Sequence, residues 1–496
     1  MIPCIFDITA KRAELAGSDI AMEEVATGRT VTYAALDERA ARAAGLLLSL
    51  GVGEGDRVAI LCRNRIEFFE MLFACAKMGA ILVPLNWRMP AAEIRPLLAD
   101  SAPRVLFFGD EDAGVAADLS GDVPLRVGLD TDYAERRDAT PAHAGRRLWP
   151  ADGIWYLLYT SGTTGTPKAV IYTFTMAMVN YINISQPIGL TARDTTLNFL
   201  PLFHTAGINL HTLPTLIIGG RVLIMPGFDV DVMLDLVAAG RVDAIFGVPA
   251  IYQMLSLHPR FASVDLTRLR SWGCGGAPLS DQLVQRFLER GVRVCNGMGM
   301  TETGPTAFIM DPNRVAEKIG SVGKPQVLAG VRIVGPDGVD VTPGEAGELW
   351  FGGPGITPGY WNRPDATAAA FSADGWLKSG DLARCDADGF YYIVGRIKEM
   401  FISGGENVYP AEVENVLSQH PAILEAAVVG VPDEKWGEVG CAHILPRPGQ
   451  TIPPADELTL FCRERLAPFK VPKSFVAVTD FPRTAAGKVQ KHRLQH

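Results

Sequence analysis

The sequence is poor in the features that would direct a chain out of the cell or into a membrane. Its eight cysteines, at positions 4, 62, 75, 274, 295, 385, 441 and 462, include no CxxC pair. That scatter argues against a disulfide framework or a zinc site and fits reduced thiols. No run of about 20 apolar residues occurs; His211, Pro214 and Arg221 interrupt the best candidate. The opening MIPCIFDITAKRAEL has no basic segment followed by a long apolar one, so no signal peptide is expected. The closing RLQH is not a peroxisomal address. Positive charge is in deficit, with 46 Lys and Arg against 55 Asp and Glu and a formal net charge of -9. That balance argues against a general nucleic-acid or anionic-membrane binder. Low-complexity tracts and solenoid-period repeats are also missing. The expectation is a cytoplasmic protein without an integral membrane segment.

What is present is a long globular chain of 496 residues, 48% hydrophobic and 20% charged. It exceeds one ordinary domain. Helical apolar spacing runs from Ala35 to Leu50 and from Glu67 to Met78. Short buried strands are expected at Arg57 to Cys62, Ala80 to Pro84 and Gly153 to Tyr159. Such alternation predicts parallel sheet layers covered by helices. Gly330 to Gly352 is rich in Gly, Val and Pro and predicts a more antiparallel, barrel-like region. The style changes after Tyr391-Tyr-Ile-Val-Gly-Arg396. A helix at Pro410 to Leu417, strands at Ala426 to Val431 and Cys441 to Leu445, a helix at Ala455 to Leu466 and a strand near Phe475 to Val478 form a small α+β unit.

The most informative string is Tyr159-Thr-Ser-Gly-Thr-Thr-Gly-Thr-Pro-Lys168. A buried strand leads into a loop of small hydroxylated residues that ends in a lysine. Glycines let backbone N–H groups approach an anion, Ser and Thr donate hydrogen bonds, and lysine adds charge. By composition alone this is a flexible surface loop, and its order is not the Walker pattern. The string resembles the signature phosphate loop of the acyl-adenylate-forming (ANL) superfamily: acyl- and aryl-CoA ligases, peptide-synthetase adenylation domains and luciferases. The resemblance covers essentially the whole chain. It implies an α/β fold with a large N-terminal domain, residues 1–396, of parallel-sheet βα layers plus a β-barrel-like region. A small mobile α+β C-terminal domain, residues 397–496, would carry the catalytic lysine.

Carried over residue by residue, the resemblance assigns the ATP/AMP site to Thr160, Ser161, Gly162, Thr163, Thr164, Gly165 and Lys168. Gly273-Cys-Gly-Gly-Ala-Pro278 resembles the adenine-pocket loop and contributes Gly276 and Ala277. Asn296-Gly-Met-Gly-Met-Thr-Glu302 contributes Gly297, Met298, Gly299 and Thr301, with Glu302 helping to hold Mg2+. Met298 stands where the family has an aromatic residue against adenine, and a thioether can still cover a purine face. Asp381, in Ser379-Gly-Asp381, would bind both ribose hydroxyls, a task suited to a carboxylate acceptor. Arg396 would contact ribose and phosphate, and Lys398 falls at the family's domain hinge. Lys488, in Pro482-Arg-Thr-Ala-Ala-Gly-Lys488, would reach the substrate carboxylate and the α-phosphate. Without the resemblance, Lys488 with Lys491 and Arg493 reads as a solvated basic tail.

His204, in Leu200-Pro-Leu-Phe-His-Thr-Ala-Gly207, would sit where acyl pocket and thiol channel meet. By itself, a histidine in an apolar run is as readily structural. A CoA thiol is already partly ionised at neutral pH, so His204 is given a gating and orienting role. Ala206, Gly207, Leu210, Gly275 and Pro305 are the expected acyl-pocket lining beside His204. Gly404 and Gly405, in Ser403-Gly-Gly-Glu-Asn407, belong to the loop that CoA ligases swing in for the thioester step. Catalysis is thus placed on Lys488, His204 and Lys168, with ATP, Mg2+ and CoA as cofactors and a small-molecule carboxylic acid as partner.

The function expected is an AMP-forming carboxylate–CoA ligase. A stand-alone adenylation enzyme loading a carrier protein and a non-catalytic nucleotide-binding homologue remain as alternatives. No acidic residue awaits a substrate ammonium and no obvious cation awaits a second carboxylate. The lining suits an aryl, hydroxycinnamate-type acid or a medium- to long-chain fatty acid. Oligomeric state is left open, a homodimer included.

Overall fold

The computed structural model describes residues 3–160, 167–277, 279–484 and 487–494, and the strand and sheet counts below refer to these. A six-stranded sheet runs in the order Lys168–Thr173, Ile154–Thr160, Ile81–Pro84, Arg57–Leu61, Val105–Phe108, Leu125–Gly128. Every pairing is parallel except the first, an antiparallel hairpin. Ile81–Pro84 is buried at all four positions, as a strand covered on both faces must be. The helix Tyr33–Ser49 starts on Thr32, whose hydroxyl accepts from the Ala35 amide at 3.2 Å. It buries Leu36, Ala40, Ala43, Ala44 and Leu47, an i, i+4, i+7, i+8, i+11 stripe turned to the core. Ile66–Met78 is buried along its whole length and stops at Gly79, whose φ of 72° only glycine adopts easily.

A second, nine-stranded sheet brings together Val294–Met298, Ser271–Cys274, Ala244–Gly247 and Thr195–Asn198, continued on one side by Arg221–Ile224, Ile20–Glu24 and Thr30–Thr32 and on the other by the two-residue strands Phe308–Ile309 and Lys324–Pro325. The antiparallel region expected near Gly330 is a four-stranded sheet of Gly330–Val334, Ala346–Gly352, Leu377–Cys385 and Tyr391–Arg396. The C-terminal domain has its own five-stranded sheet and its own core of Phe401, Val408, Leu417, Val428, Ile444 and Leu458. Its central hairpin, Ile423–Asp433 with Gly437–Pro446, is longer than the apolar runs predicted, because pairing carries the strands past their buried positions. Among the described residues no helix is long and apolar enough to cross a membrane.

The two domains meet beside the helix Asp281–Leu288. Asn415 Nδ2 donates to Asp281 Oδ2 at 2.9 Å, and Arg447 Nη2 donates to Gln282 Oε1 at 2.5 Å. The N-terminal segment is pinned by a buried cation: Lys77 Nζ lies 2.6 Å from both Asp7 and Asp37. Asp7 also caps the helix Ile8–Ala16, accepting from the Thr9 and Ala10 amides.

Candidate functional site

Thr160 and Lys168 face each other in register at the end of the antiparallel hairpin. The Thr160 hydroxyl donates to the Lys168 carbonyl at 3.3 Å. Ser161, Gly162, Thr163, Thr164 and Gly165 lie outside the described residues, as does Pro278. Lys168 Nζ stands 5.3 Å from the centre of the Tyr360 ring, and the Tyr360 hydroxyl donates to Glu302 Oε1 at 2.9 Å. Tyr360 therefore joins the phosphate-loop lysine to the acidic turn. Nothing in its sequence surroundings marks it, since it arrives by an isolated antiparallel bridge to Val170.

Glu302 occupies the tight turn Thr301–Thr303 and is 7% exposed. Burial pushes its carboxyl above the usual range, against the opposing pull of the Tyr360 hydroxyl, Lys488 and Arg396. The turn is knotted: a Cβ on Gly299 would fall 1.4 Å from the Pro305 carbonyl, so only glycine fits. Thr303 closes it by donating to the Pro305 carbonyl at 3.0 Å. Gly275 and Gly297 lie against each other from adjacent strands, and a Cβ on Gly275 would meet the Gly297 carbonyl at 3.0 Å. Gly276 turns the chain at φ 84°, followed by the half-buried Ala277. Met298 ends its strand opposite Phe308, packed against the core of the four-stranded sheet.

Asp381 and Arg396 pair across neighbouring strands, Nε to Oδ1 at 3.0 Å. Burial raises the Asp381 carboxyl, outweighing the attraction of Arg396 and Lys488. Lys488 is half-buried on the C-terminal domain, within electrostatic reach of Arg396, Asp381, Glu302 and Glu399. Its ammonium is pushed below the ordinary lysine value, first by desolvation and then by Arg396. Hydrogen bonds between Thr484 and Lys488 shape the lysine loop, and an Arg483–Glu425 ion pair at 2.5 Å braces it. Lys398 lies in the exposed turn after Arg396. Gly404 and Gly405 lie outside this cluster, at the exposed tip of the hairpin Phe401–Ser403/Glu406–Val408. A Cβ on Gly404 would touch the Trp436 ring at 2.9 Å.

His204 stands beside Phe203, ring centres 4.7 Å apart. Its imidazole is lowered to about 4 by burial and by the cations Lys488 and Arg88, so it is neutral at neutral pH. Its Nε2 is buried with no partner among the described residues. Gly207 is packed too tightly for a side chain, with the Pro201 carbonyl 2.3 Å from where a Cβ would stand. Ala206–Leu210 forms a wide π-type turn, a local expansion that tends to mark functional sites. It places Asn209 to accept from the Tyr156 hydroxyl at 2.7 Å and to donate to Thr205 at 3.0 Å. The 3.6-residue periodicity used to find helices carries no sign of that expansion.

A cavity of about 190 Å3 lies away from these residues. Trp149, Ile154, Phe174 and Arg146 line it at the N-terminal ends of the first sheet's strands. Ligands in open α/β sheets bind beyond the carboxyl ends, where Lys168 and Glu302 lie.

The sequence profile of AMP-binding enzymes matches residues 9–361, and that of the AMP-binding enzyme C-terminal domain matches residues 412–488. The chain belongs to the AMP-binding enzyme family. It is 44% identical to a feruloyl-CoA synthase of Amycolatopsis sp. over 468 residues, 94% of each chain. It is 38% identical to an indoleacetate–CoA ligase of Aromatoleum aromaticum over 474 residues, 93% of this chain and 92% of the other. The structure of o-succinylbenzoate CoA synthetase from Bacillus subtilis, holding its acyl-adenylate intermediate, superimposes with a TM-score of 0.90 at 33% identity. That match covers 100% of this chain and 99% of the other. This AMP-binding enzyme is an AMP-forming acyl-CoA synthetase, using ATP and CoA.

Proposed function

We propose that this synthetase activates an aryl acid of the hydroxycinnamate class, and that Lys488, Glu302, Asp381 and Arg396 carry the first half-reaction. The observation that supports the assignment is that Lys488, on the C-terminal domain, lies within electrostatic reach of the buried Glu302 and Asp381 and of Arg396, which pairs with Asp381. A carboxylate oxygen attacks the α-phosphorus of ATP, the bond to the β-phosphate oxygen breaks, and pyrophosphate leaves. The thiolate of CoA then attacks the acyl carbon and AMP departs. Positioning and charge neutralisation do most of this work. Lys488 lowers the repulsion between the two anions as they meet, Asp381 accepts from the ribose hydroxyls, and Arg396 reaches ribose and phosphate.

Glu302 would hold Mg2+. Among the described residues no cluster of three metal-ligating side chains exists. A single buried carboxylate beside a phosphate loop suits magnesium, which takes one or two carboxylates together with substrate phosphates. The ion supplies neutralisation of phosphate charge. Glu302→Gln is expected to raise the magnesium concentration needed for half-maximal rate.

His204, neutral and with a ring nitrogen unpartnered among the described residues, orients the acyl group where thiol and acid meet; Gly207, Leu210, Gly275 and Pro305 line that pocket. The domain boundary lies at residues 396 and 397. Rotation at Lys398 removes Lys488 and brings Gly404 and Gly405 toward the site for the thiol. The eight cysteines, all free, fit a cytoplasmic enzyme.

The aryl preference draws on the likeness to feruloyl-CoA synthase and on the small, apolar pocket lining. It is tested by pyrophosphate release with ATP and magnesium across benzoates, hydroxycinnamates, indole acids and fatty acids, with and without CoA. Highest kcat/KM on a hydroxycinnamate, sustained by CoA, is expected. Preference for an alkyl chain would overturn the substrate assignment.

A further inference from the structure

Three residues beyond Lys488, a second lysine makes contacts that the reaction itself does not require. Lys491 Nζ lies 2.9 Å from Glu399 Oε2 and 2.7 Å from Glu414 Oε1. Its side chain is only 17% exposed, so this is not a solvated tail contact. Glu414 sits on the helix Pro410–Ser418 and its Oε1 also accepts from the Val428 amide at 2.7 Å. Burial pushes the Glu414 carboxyl above its usual range, against the pull of the Lys491 ammonium and the Val428 amide on the same oxygen.

Glu399 occupies the turn that follows Arg396, and its amide donates to the Arg396 carbonyl at 3.1 Å. Its carboxylate acts on Lys488 as well as on Lys491. The Lys488 segment is thereby tied at one point to the hinge turn and at another to a helix. The residue after Glu414 on that helix, Asn415, bonds Asp281 of the N-terminal domain. A lysine side chain is long and loses much rotamer freedom when it must act at one place. Only a mount with fixed ends delivers its ammonium to a spot shared by Glu302 and Asp381.

We propose that Lys491 is the positioning residue for Lys488, clamping the lysine-bearing segment between the hinge turn at Glu399 and the helix at Glu414. The inference rests on the reading that Lys488 serves adenylation. Lys491 touches neither acid nor nucleotide. Its loss loosens the placement of Lys488 and leaves thioester formation, which proceeds without Lys488, intact.

The experiment compares Lys491→Met, Lys491→Arg, Glu399→Gln and Lys488→Ala with the wild type in two assays on the full-length enzyme. One is acid-dependent pyrophosphate release, the other thioester formation from supplied acyl-AMP and CoA. For Lys491→Met, kcat of the first assay should fall on the order of 100-fold, the scale of a misplaced catalytic group. KM for ATP and the second assay should stay near wild type, and Lys491→Arg should recover most of the loss. If Lys491→Met does not fold, Glu399→Gln, which alters the more exposed partner, should show the same split in smaller measure. Equal loss in both assays, a rise in KM with kcat unchanged, or no loss at all overturns the clamp. Full adenylation by Lys488→Ala would instead overturn the underlying reading of Lys488.

Discussion

Arg396 donates from Nε to Asp381 Oδ1 at 3.0 Å, each residue directly opposite the other in an antiparallel strand pair. Asp381 is thus held by the strand ladder and by its ion pair. Asp381→Asn keeps the shape and removes the charge. Hydrogen bonds to a charged acceptor are worth about 1.5–3 kcal/mol, so kcat/KM for ATP should fall roughly 10- to 100-fold. A steady-state titration of ATP checks this, and an unchanged value would detach Asp381 from the nucleotide.

In the proposed mechanism the ammonium of Lys488 is the working form, and its pKa is depressed by burial and by Arg396. As pH rises it loses its charge earlier than an exposed lysine, so adenylation should decline on the alkaline side below the ordinary value of 10.5. A pH profile of kcat/KM reports the free enzyme. In Lys488→Arg, whose guanidinium stays protonated, that limb should move to higher pH. An identical limb in both proteins would assign it elsewhere.

The bonds from Asn415 to Asp281 and from Arg447 to Gln282 join the two domains in the arrangement that places Lys488 at the site. Each is worth about 1 kcal/mol, roughly a fivefold change in population. Asn415→Ala should lower the adenylation rate by about that factor. Its rate of thioester formation from acyl-AMP should be unchanged or raised. Parallel losses in the two half-reactions would contradict this.

Lys77 is buried between Asp7 and Asp37. Removing one partner of a buried pair leaves an uncompensated charge at a cost of about 3–5 kcal/mol. Lys77→Met should therefore lower the thermal unfolding midpoint markedly while KM values stay put. Calorimetry together with initial rates separates the two effects.

Much of this arrangement was legible because it rests on local strings. Lys168, Glu302, Asp381, Arg396 and Lys488 each stand in a recognisable string, and the structure brings Lys488 within electrostatic reach of Glu302, Asp381 and Arg396. Strand and helix positions followed from apolar spacing, with ends differing by a few residues where pairing extends beyond burial, as at Ile423–Asp433. Tyr360, Glu399, Glu414 and Arg88 were not picked out. Their significance comes from long-range approach, and a lone tyrosine or glutamate on a turn has no periodicity to betray it.

The cluster around Lys488 has one further consequence. Lys488 belongs to the C-terminal domain, whereas Glu302 and Asp381 belong to the body it closes upon. On the proposed mechanism, the domain that turns away after the acyl-adenylate has formed carries the Lys488 cation off and leaves Glu302 and the Asp381–Arg396 pair behind. Removing that one positive charge would make the cleft less attractive to an anionic leaving group. On that mechanism one hinge movement would both admit the thiol and ease the departure of pyrophosphate.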